Sequence, residues 1–337
     1  MPKLFVASLS GLMQEKEFEL KVFSGRANPK LSESIASFLG KNLGEISISD
    51  FSDGEINLEI EESVRGHDVF FVQPTSYPTN ETMMELLLFL DAAKRASAKR
   101  VTAVMPYYGY ARQDRKSSPR TPISAKLMAD LITVAGANRV LAVDLHAAQI
   151  QGFFNIQLDN LSVKLIIADH IKEKKLKDLC IVSPDIGGIR RARDLSKILN
   201  AKLAVVDKLR AEPNKSQVMN IIGKVNGKNC VLVDDIIDTA GTMAAAAVEL
   251  KRKGALSVRA YASHAVLSGK AIQKIMNSPI QEVVVSDSIP LNGKAKQCKK
   301  IKVFSIAELL AKAIQNIHTS QSVSQLFKLD QQVKLLP

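Results

Sequence analysis

Tryptophan is absent from this 337-residue chain, and tyrosine occurs only five times. Flat rings on which unpaired bases could stack are therefore scarce, which argues against a dedicated nucleic-acid binder. Cysteine is rare as well. Cys180, Cys230 and Cys298 are far apart, odd in number and without C-x-x-C spacing, so neither a disulfide framework nor a zinc site is indicated, and a reducing cytoplasm suits the chain. Long apolar runs are missing. Val69–Val72 and Met83–Leu90 are interrupted by polar groups well short of the roughly 20 residues of a membrane span. The first residues lack the basic, apolar and small-residue succession of a secretory leader. Neither G-x-x-x-x-G-K-[ST] nor G-x-G-x-x-G occurs, so any nucleotide must be held by other means.

What is present is a core-forming composition, 46% hydrophobic and 24% charged, long enough for two ordinary domains. Lys and Arg number 46 against 34 Asp and Glu, and the resulting net charge of +12 favours polyanionic partners. The basic residues are scattered through the chain, which favours phosphorylated metabolites over nucleic acid.

Apolar runs and amphipathic stretches alternate, the signature of a parallel sheet flanked by helices. Strands are predicted at Leu20–Phe23, Asp68–Gln73, Val101–Pro106 and Val140–Asp144, with helices at Asn28–Leu39, about Glu81–Ser97 and Ile123–Ala135. Asn28 caps the first helix and Pro29 opens it. The second half repeats the theme, with strands at Leu179–Ser183, Leu203–Val206, Cys230–Asp234, Ser257–Ser263 and Glu282–Ser286, and helices at Ile189–Leu199 and Thr242–Lys253. The segment from Val69, VFFVQPTSYPTNETMMELLLFLDAAKRASAKRVTAV, follows the same order of strand, turn, helix and strand as VLVDDIIDTAGTMAAAAVELKRKGALSVRAYA from Val231. We read them as two copies of one α/β unit, of which only the second keeps an acidic loop. Residues 1–17 lack a pattern and read as an extension. Lys208–Asn229 is polar, basic and broken by Pro213, Gly223 and Gly227, and its first part reads as a mobile loop.

The acidic loop carries the most chemistry. VLVDDIIDTAGT, residues 231–242, delivers Asp234, Asp235 and Asp238 to the carboxyl edge of a sheet, where open α/β folds bind ligands. Asp238, Thr239, Ala240, Gly241 and Thr242 then offer successive backbone N–H groups, two hydroxyls and a flexible glycine at a helix start, which is a phosphate cradle. The carboxylates would repel that phosphate, so they are assigned to sugar hydroxyls or, through water, to Mg²⁺. Helix capping explains one aspartate, not three with a Thr-x-Gly-Thr tail. Together the groups describe a ribose phosphate.

Aliphatic residues, two aspartates, two further residues and D-T-x-G-T form a pattern similar to the phosphoribosyl diphosphate loop of type I phosphoribosyltransferases. FSDGE at 51–55, ESVRG at 62–66, PYYGYARQDRK at 106–116, DLHAAQIQGFF at 144–154, SPDIGG at 183–188 and VVDKLR at 205–210 join it. As a set, running from about residue 20 to about 327, they resemble the phosphate-dependent class of the ribose-phosphate diphosphokinase family. The resemblance implies an α/β fold of two similar type I phosphoribosyltransferase-like domains, each a mostly parallel sheet flanked by helices. It divides the chain into an extension (1–17), an N-terminal domain (18–163, completed by about 309–327), a C-terminal domain carrying the ribose 5-phosphate loop (164–308) and a tail (328–337).

The reaction it implies is attack of the anomeric hydroxyl of ribose 5-phosphate on the β-phosphorus of Mg-ATP, releasing AMP. Lys208 and Arg210 match the family's catalytic cations, which close over the transferring group, and Arg210 also reaches ribose 5-phosphate. Asp234, Asp235, Asp238, Thr239, Ala240, Gly241 and Thr242 match the ribose 5-phosphate site. His146 and Asp185 match contacts to Mg²⁺, His146 also to ATP; Gly187 and Gly188 add a second anion cradle. Arg112 and Gln113 match nucleotide contacts, and Phe51, Asp53, Gly54 and Glu55 a loop that reaches a neighbouring subunit's adenine.

Ser63, Arg65 and Arg120 match positions that bind activating phosphate in the class that ADP inhibits. Assembly into hexamers from dimers is implied as well. The chain departs from the family at Ile186, whose bulk is expected to alter packing in the second anion loop, at Leu209, which leaves one cation fewer, and at Ala148, which replaces a hydroxyl. A non-catalytic regulatory homologue and a phosphoribosyltransferase are the competing readings. Retention of Lys208, Arg210, His146, Asp185 and the whole acidic loop favours the enzyme over the first. Paired domains and the R-Q-D segment argue against the second.

Overall fold

The structure, a computed structural model, describes residues 18–209 and 218–327. The expectations for residues 1–17, Arg210 and the 328–337 tail lie outside them. In chain order the first half contains β1 (Leu20–Ser24), α1 (Pro29–Phe38), β2 (Ile46–Asp50), β3 (Ile56–Ile60), β4 (Asp68–Val72), α2 (Thr79–Arg95), β5 (Arg100–Met105), α3 (Ser124–Ala135), β6 (Arg139–Val143) and β7 (Gln157–Leu161). There follow α4 (Lys164–Glu173), β8 (Leu179–Ser183), α5 (Ile189–Ile198), β9 (Lys202–Leu209), β10 (Val218–Ile222), β11 (Asn229–Ile237), α6 (Gly241–Arg252) and β12 (Ser257–Ala265). The last elements are α7 (Ala271–Asn277), β13 (Glu282–Ser286), α8 (Gly293–Gln297), β14 (Ile301–Phe304) and α9 (Ala307–His318).

Two parallel sheets result, ordered β1-β4-β5-β6-β7 and β10-β9-β8-β11-β12-β13-β14, the second with β10 antiparallel at its edge. The α/β class and the flanked parallel sheets agree with the sequence reading. A strand's side chains alternate between faces, and both sheets use that alternation to bury two cores. Val69 and Phe71 face a core under α2 and α3, where Phe71 stacks on Phe89 with ring centroids 4.0 Å apart. Phe70 and Val72 face the opposite way, into a core shared with Val231, Val233 and Tyr261 of the second sheet and with α1, α4, α5 and α9. Cys230 and Leu232 then face a third core beneath α6 and α7.

Local chemistry sets the element ends. Asn28 Oδ1 accepts the Leu31 N–H at 3.4 Å and Pro29 follows, as expected for the start of α1. α9 is joined to the first sheet at fully buried Asp68, whose carboxylate lies 2.9 Å from His318 Nδ1 and pairs with Arg100; Arg100 also donates to the Ile317 carbonyl at 3.0 Å.

Two sequence expectations are corrected and one element is added. The segment from Lys208 is not a loop from its start: β9 runs on to Leu209 and pairs with β10, Leu209 opposite Val218. The hairpin β2–β3 was not anticipated, because its alternating faces are half-buried Ile and Leu against polar residues rather than a strong apolar run. Ile186 does not pack into the second anion loop; its side chain is 61% exposed.

Candidate active site

The carboxyl ends of β6, β8 and β11 converge on a cleft of about 910 Å³. Its back wall is a weld between the two sheets. Ser263, near the end of β12, donates to Asp144 Oδ2 at 2.5 Å across the sheet boundary. Next to it, buried His264 lies with Nε2 3.1 Å from the Val143 carbonyl and Nδ1 2.9 Å from Ser288 Oγ. Burial lowers the His264 pKa, so the ring is neutral, and the carbonyl acceptor assigns its proton to Nε2.

Strand β11 is longer than predicted, so Asp234 and Asp235 lie inside it and only Asp238 follows it. Asp235 is buried and its Oδ2 lies 2.6 Å from His146 Nδ1. That hydrogen bond raises the His146 pKa against the opposing effect of burial. Burial alone would raise Asp235, but the His146 bond and the Arg191 charge outweigh it and hold this carboxylate below its ordinary range. Burial, with the neighbouring Asp235 as second cause, pushes the Asp234 carboxyl up to about 8. The pair therefore behaves as one strongly ionised group beside one reluctant one.

Asp238 does not cap α6. Its carboxylate accepts from Ser268 and pairs with Arg112, and those contacts hold its pKa low against the effect of burial. Ala240 precedes the helix in the left-handed region at φ 56°, a conformation that costs a non-glycine residue energy and turns the backbone at the predicted cradle. Thr239, Ala240, Gly241 and Thr242 do not line the main cleft; Gly241 borders a smaller pocket of about 420 Å³ with Lys270 and Lys274.

On the opposite wall, Asp185 Oδ1 accepts the Gly188 N–H at 3.0 Å, and Ser183 Oγ donates to the Asp185 carbonyl at 2.6 Å. A Cβ on Gly188 would come within 2.8 Å of Ser183 Oγ, so a side chain there would press on the hydroxyl that donates to the Asp185 carbonyl. His146, Asp185, Arg112, Asp234, Asp235 and Asp238 thus share one cleft. Among the described residues no group of three or more His, Cys, Asp or Glu forms a ready-made metal site. An imidazole and a carboxylate on the cleft wall suit a cation that keeps several waters and takes its remaining ligands from phosphates.

Other expected residues lie elsewhere. Phe51, Asp53, Gly54 and Glu55 form the tip of the β2–β3 hairpin, closed by Phe51 N–H to Glu55 O at 2.7 Å, with Gly54 at φ 92° and Phe51 54% exposed. Gln113 accepts from Ser124 and does not line the cleft. Ser63, Arg65 and Arg120 are exposed and outside it, Arg65 reaching Ser97 Oγ at 3.4 Å. Ala148 is exposed and borders the cleft at the start of a short 3-10 helix. Lys208 is in β9, but its side chain, like all of Arg210, is outside what the structure describes.

Comparison with known proteins gives this cleft its context. The family model described as the N-terminal domain of ribose phosphate pyrophosphokinase matches residues 20–136, and that of the phosphoribosyl synthetase-associated domain matches residues 176–328. Ribose-phosphate pyrophosphokinases of Neisseria meningitidis and Rhizobium meliloti are each 53% identical over 309 residues, 91% of this chain and 94% and 100% of theirs. The chain belongs to the ribose-phosphate pyrophosphokinase family. The crystal structure of phosphoribosylpyrophosphate synthetase from Mycobacterium smegmatis superposes with a TM-score of 0.85 at 40% identity, covering 90% of this chain and 99% of that one.

Within this pyrophosphokinase framework, sequence reading passed over two residues that line the cleft, Ser263 and Arg191, and one beside it, Ser268, which donates to Asp238. Ser263 and Ser268 gave no signal, because a serine in or after a strand is ordinary. Arg191 did give one. It and Arg190 occupy the first turn of α5, where the helix dipole disfavours cations, and such a placement points to anionic neighbours.

Proposed function

We propose that this chain transfers the β,γ-diphosphoryl group of Mg-ATP to the anomeric hydroxyl of ribose 5-phosphate, giving 5-phosphoribosyl 1-diphosphate and AMP for nucleotide biosynthesis. The observation that carries the reading is the shared cleft, in which the acidic end of β11 faces His146, Asp185 and Arg112. The anomeric oxygen bonds to the β-phosphorus as the bond between that phosphorus and the oxygen bridging it to the α-phosphate breaks; the hydroxyl proton passes to solvent and AMP leaves with the bridging oxygen. Positioning and charge stabilisation dominate such a transfer.

Asp234 and Asp235 take sugar hydroxyls, and the backbone amides of Thr239 to Thr242 take the 5-phosphate. The loop from Asp185 to Gly188 takes the diphosphoryl end of ATP, and Arg112 and Gln113 its nucleotide. Asp185 and His146 would hold Mg²⁺, which supplies neutralisation of the triphosphate charge. Lys208 and Arg210 stabilise charge on the transferring group. Phe51, exposed on a hairpin that Arg26 braces through Asp50 at 2.9 Å, suits a ring that stacks on a neighbouring subunit's adenine.

Assembly has support in α3, whose Leu127, Leu131 and Val134 leave an exposed apolar stripe. A homo-oligomer, a hexamer built from dimers, is the form we assign. Inorganic phosphate acting at Ser63, Arg65 and Arg120, with ADP as inhibitor, and a cytoplasmic location complete the reading. Among the described residues no helix is long and apolar enough to cross a membrane. Purified protein given ribose 5-phosphate, ATP and Mg²⁺ should release AMP in step with phosphoribosyl diphosphate, more so with added phosphate. Absence of AMP at every phosphate concentration would overturn the reading in favour of a non-catalytic homologue.

A further inference from the structure

Arg191 is half-buried on the cleft wall, and its Nη1 lies 3.2 Å from Asp234 Oδ1 and 3.2 Å from Asp235 Oδ1. One guanidinium nitrogen therefore spans both acidic side chains of the pair. The remaining contacts of the pair leave little else to fix them on this side: Asp235 meets His146 through its other oxygen, and Asp234 Oδ1 accepts the Asp235 N–H at 2.9 Å. The backbone that carries Arg191 is the first turn of α5, immediately after the loop in which Asp185 accepts the Gly188 N–H. A single side chain thus ties the loop on one wall to the strand end on the other.

We infer that Arg191 is a positioning residue for ribose 5-phosphate, holding the Asp234 and Asp235 carboxylates in the arrangement that receives the sugar hydroxyls. It acts through those aspartates and does not itself contact the reacting atoms. The inference rests on the reading that Asp234 and Asp235 bind the sugar. Charge-assisted hydrogen bonds in such a cleft are strong and directional, and a planar guanidinium can serve two carboxylates where a lysine ammonium, a point charge on a flexible stem, serves them less well.

Three variants of the full-length enzyme test it: Arg191→Met, which keeps the length of the side chain without its charge, Arg191→Lys, and Asp235→Asn. Steady-state kinetics give KM for ribose 5-phosphate and for ATP separately, and calorimetric titration of ribose 5-phosphate gives its affinity directly. Arg191→Met should weaken ribose 5-phosphate by about tenfold, the loss expected for one charge-assisted contact, with the KM for ATP within about twofold. Arg191→Lys should recover part of that loss. Unchanged ribose 5-phosphate affinity in Arg191→Met, or an equal rise in both KM values with no recovery in Arg191→Lys, would overturn the inference. Asp235→Asn separates the two layers: if it weakens ribose 5-phosphate while Arg191→Met does not, the sugar site stands and the positioning role falls. If neither variant affects ribose 5-phosphate, the sugar-site reading falls and the inference with it.

Discussion

The unit β4–α2–β5 and the unit β11–α6–β12 are built alike, yet they treat the end of their first strand in opposite ways. After β4, Gln73 and Thr75 are completely buried. Gln73 Nε2 donates to Glu85 at 2.8 Å and to the Thr82 carbonyl at 3.3 Å, and its Oε1 accepts from Ala27 at 3.2 Å. Thr75 Oγ1 donates to the Tyr107 carbonyl at 3.2 Å and accepts from Gly109 at 2.7 Å. A Cβ on Gly109 would come within 2.4 Å of the Thr75 carbonyl, so the first strand end is sealed by close packing. After β11 the polar groups are ionised or ionisable carboxylates, and they face a cleft of about 910 Å³. The same edge of the same kind of sheet can be closed with matched buried hydrogen bonds or left open with carboxylates facing a cleft, and it is the open edge to which the proposed function assigns the sugar substrate.

The largest effect expected from breaking this contrast belongs to the open half. Lys208→Ala should lower kcat on the order of a hundredfold to a thousandfold with the KM for ATP little changed, since the proposed function has its charge act mainly in the transition state. A change confined to affinity in steady-state kinetics would remove that role. In the sealed half, Gln73→Ala should destabilise the fold by about 1–3 kcal/mol by removing the acceptor of the Ala27 N–H and the buried donor to Glu85 and the Thr82 carbonyl, measured by denaturant unfolding. Its KM values for both substrates should match those of the unaltered enzyme.

A smaller, pH-dependent effect separates the halves further. The His146 pKa is raised by its bond to Asp235, so the stability this pair contributes is fully present below about pH 6.5, the unfolded value. It is lost as pH rises through the folded value. The melting temperature of His146→Gln, without metal, should therefore fall short of the unaltered protein at pH 6 and converge with it at pH 9. Gln73 does not titrate, and the deficit of Gln73→Ala should persist across that range. Least of all, Ile186→Ser should shift stability by no more than about 0.5 kcal/mol, because the side chain is mostly in solvent.

Much of the fold was legible because buried parallel strands are short continuous apolar runs: β4 reads DVFFV and is buried at every position. The β2–β3 hairpin was hidden because its strands, ISISD and INLEI, carry too little apolar content to stand out. Lys208 was placed in a loop because its neighbours are polar, yet pairing of β9 with β10 extends the strand through it; an edge hairpin satisfies backbone groups and needs little apolar surface.

By itself the sequence determined the family, the α/β alternation and the chemistry of the acidic loop, since carboxylates, hydroxyls and glycine at fixed spacing state what they can bind. The tertiary structure alone decided which of these groups share a cleft. His146 meets Asp235 across 89 residues of chain and Arg112 meets Asp238 across 126. Such contacts are set by how two sheets and their helices pack around common cores, and no local pattern encodes them. For the same reason Arg191 showed in the sequence only as a cation misplaced at a helix start, and became a bridge between two aspartates once α5 was packed against β11.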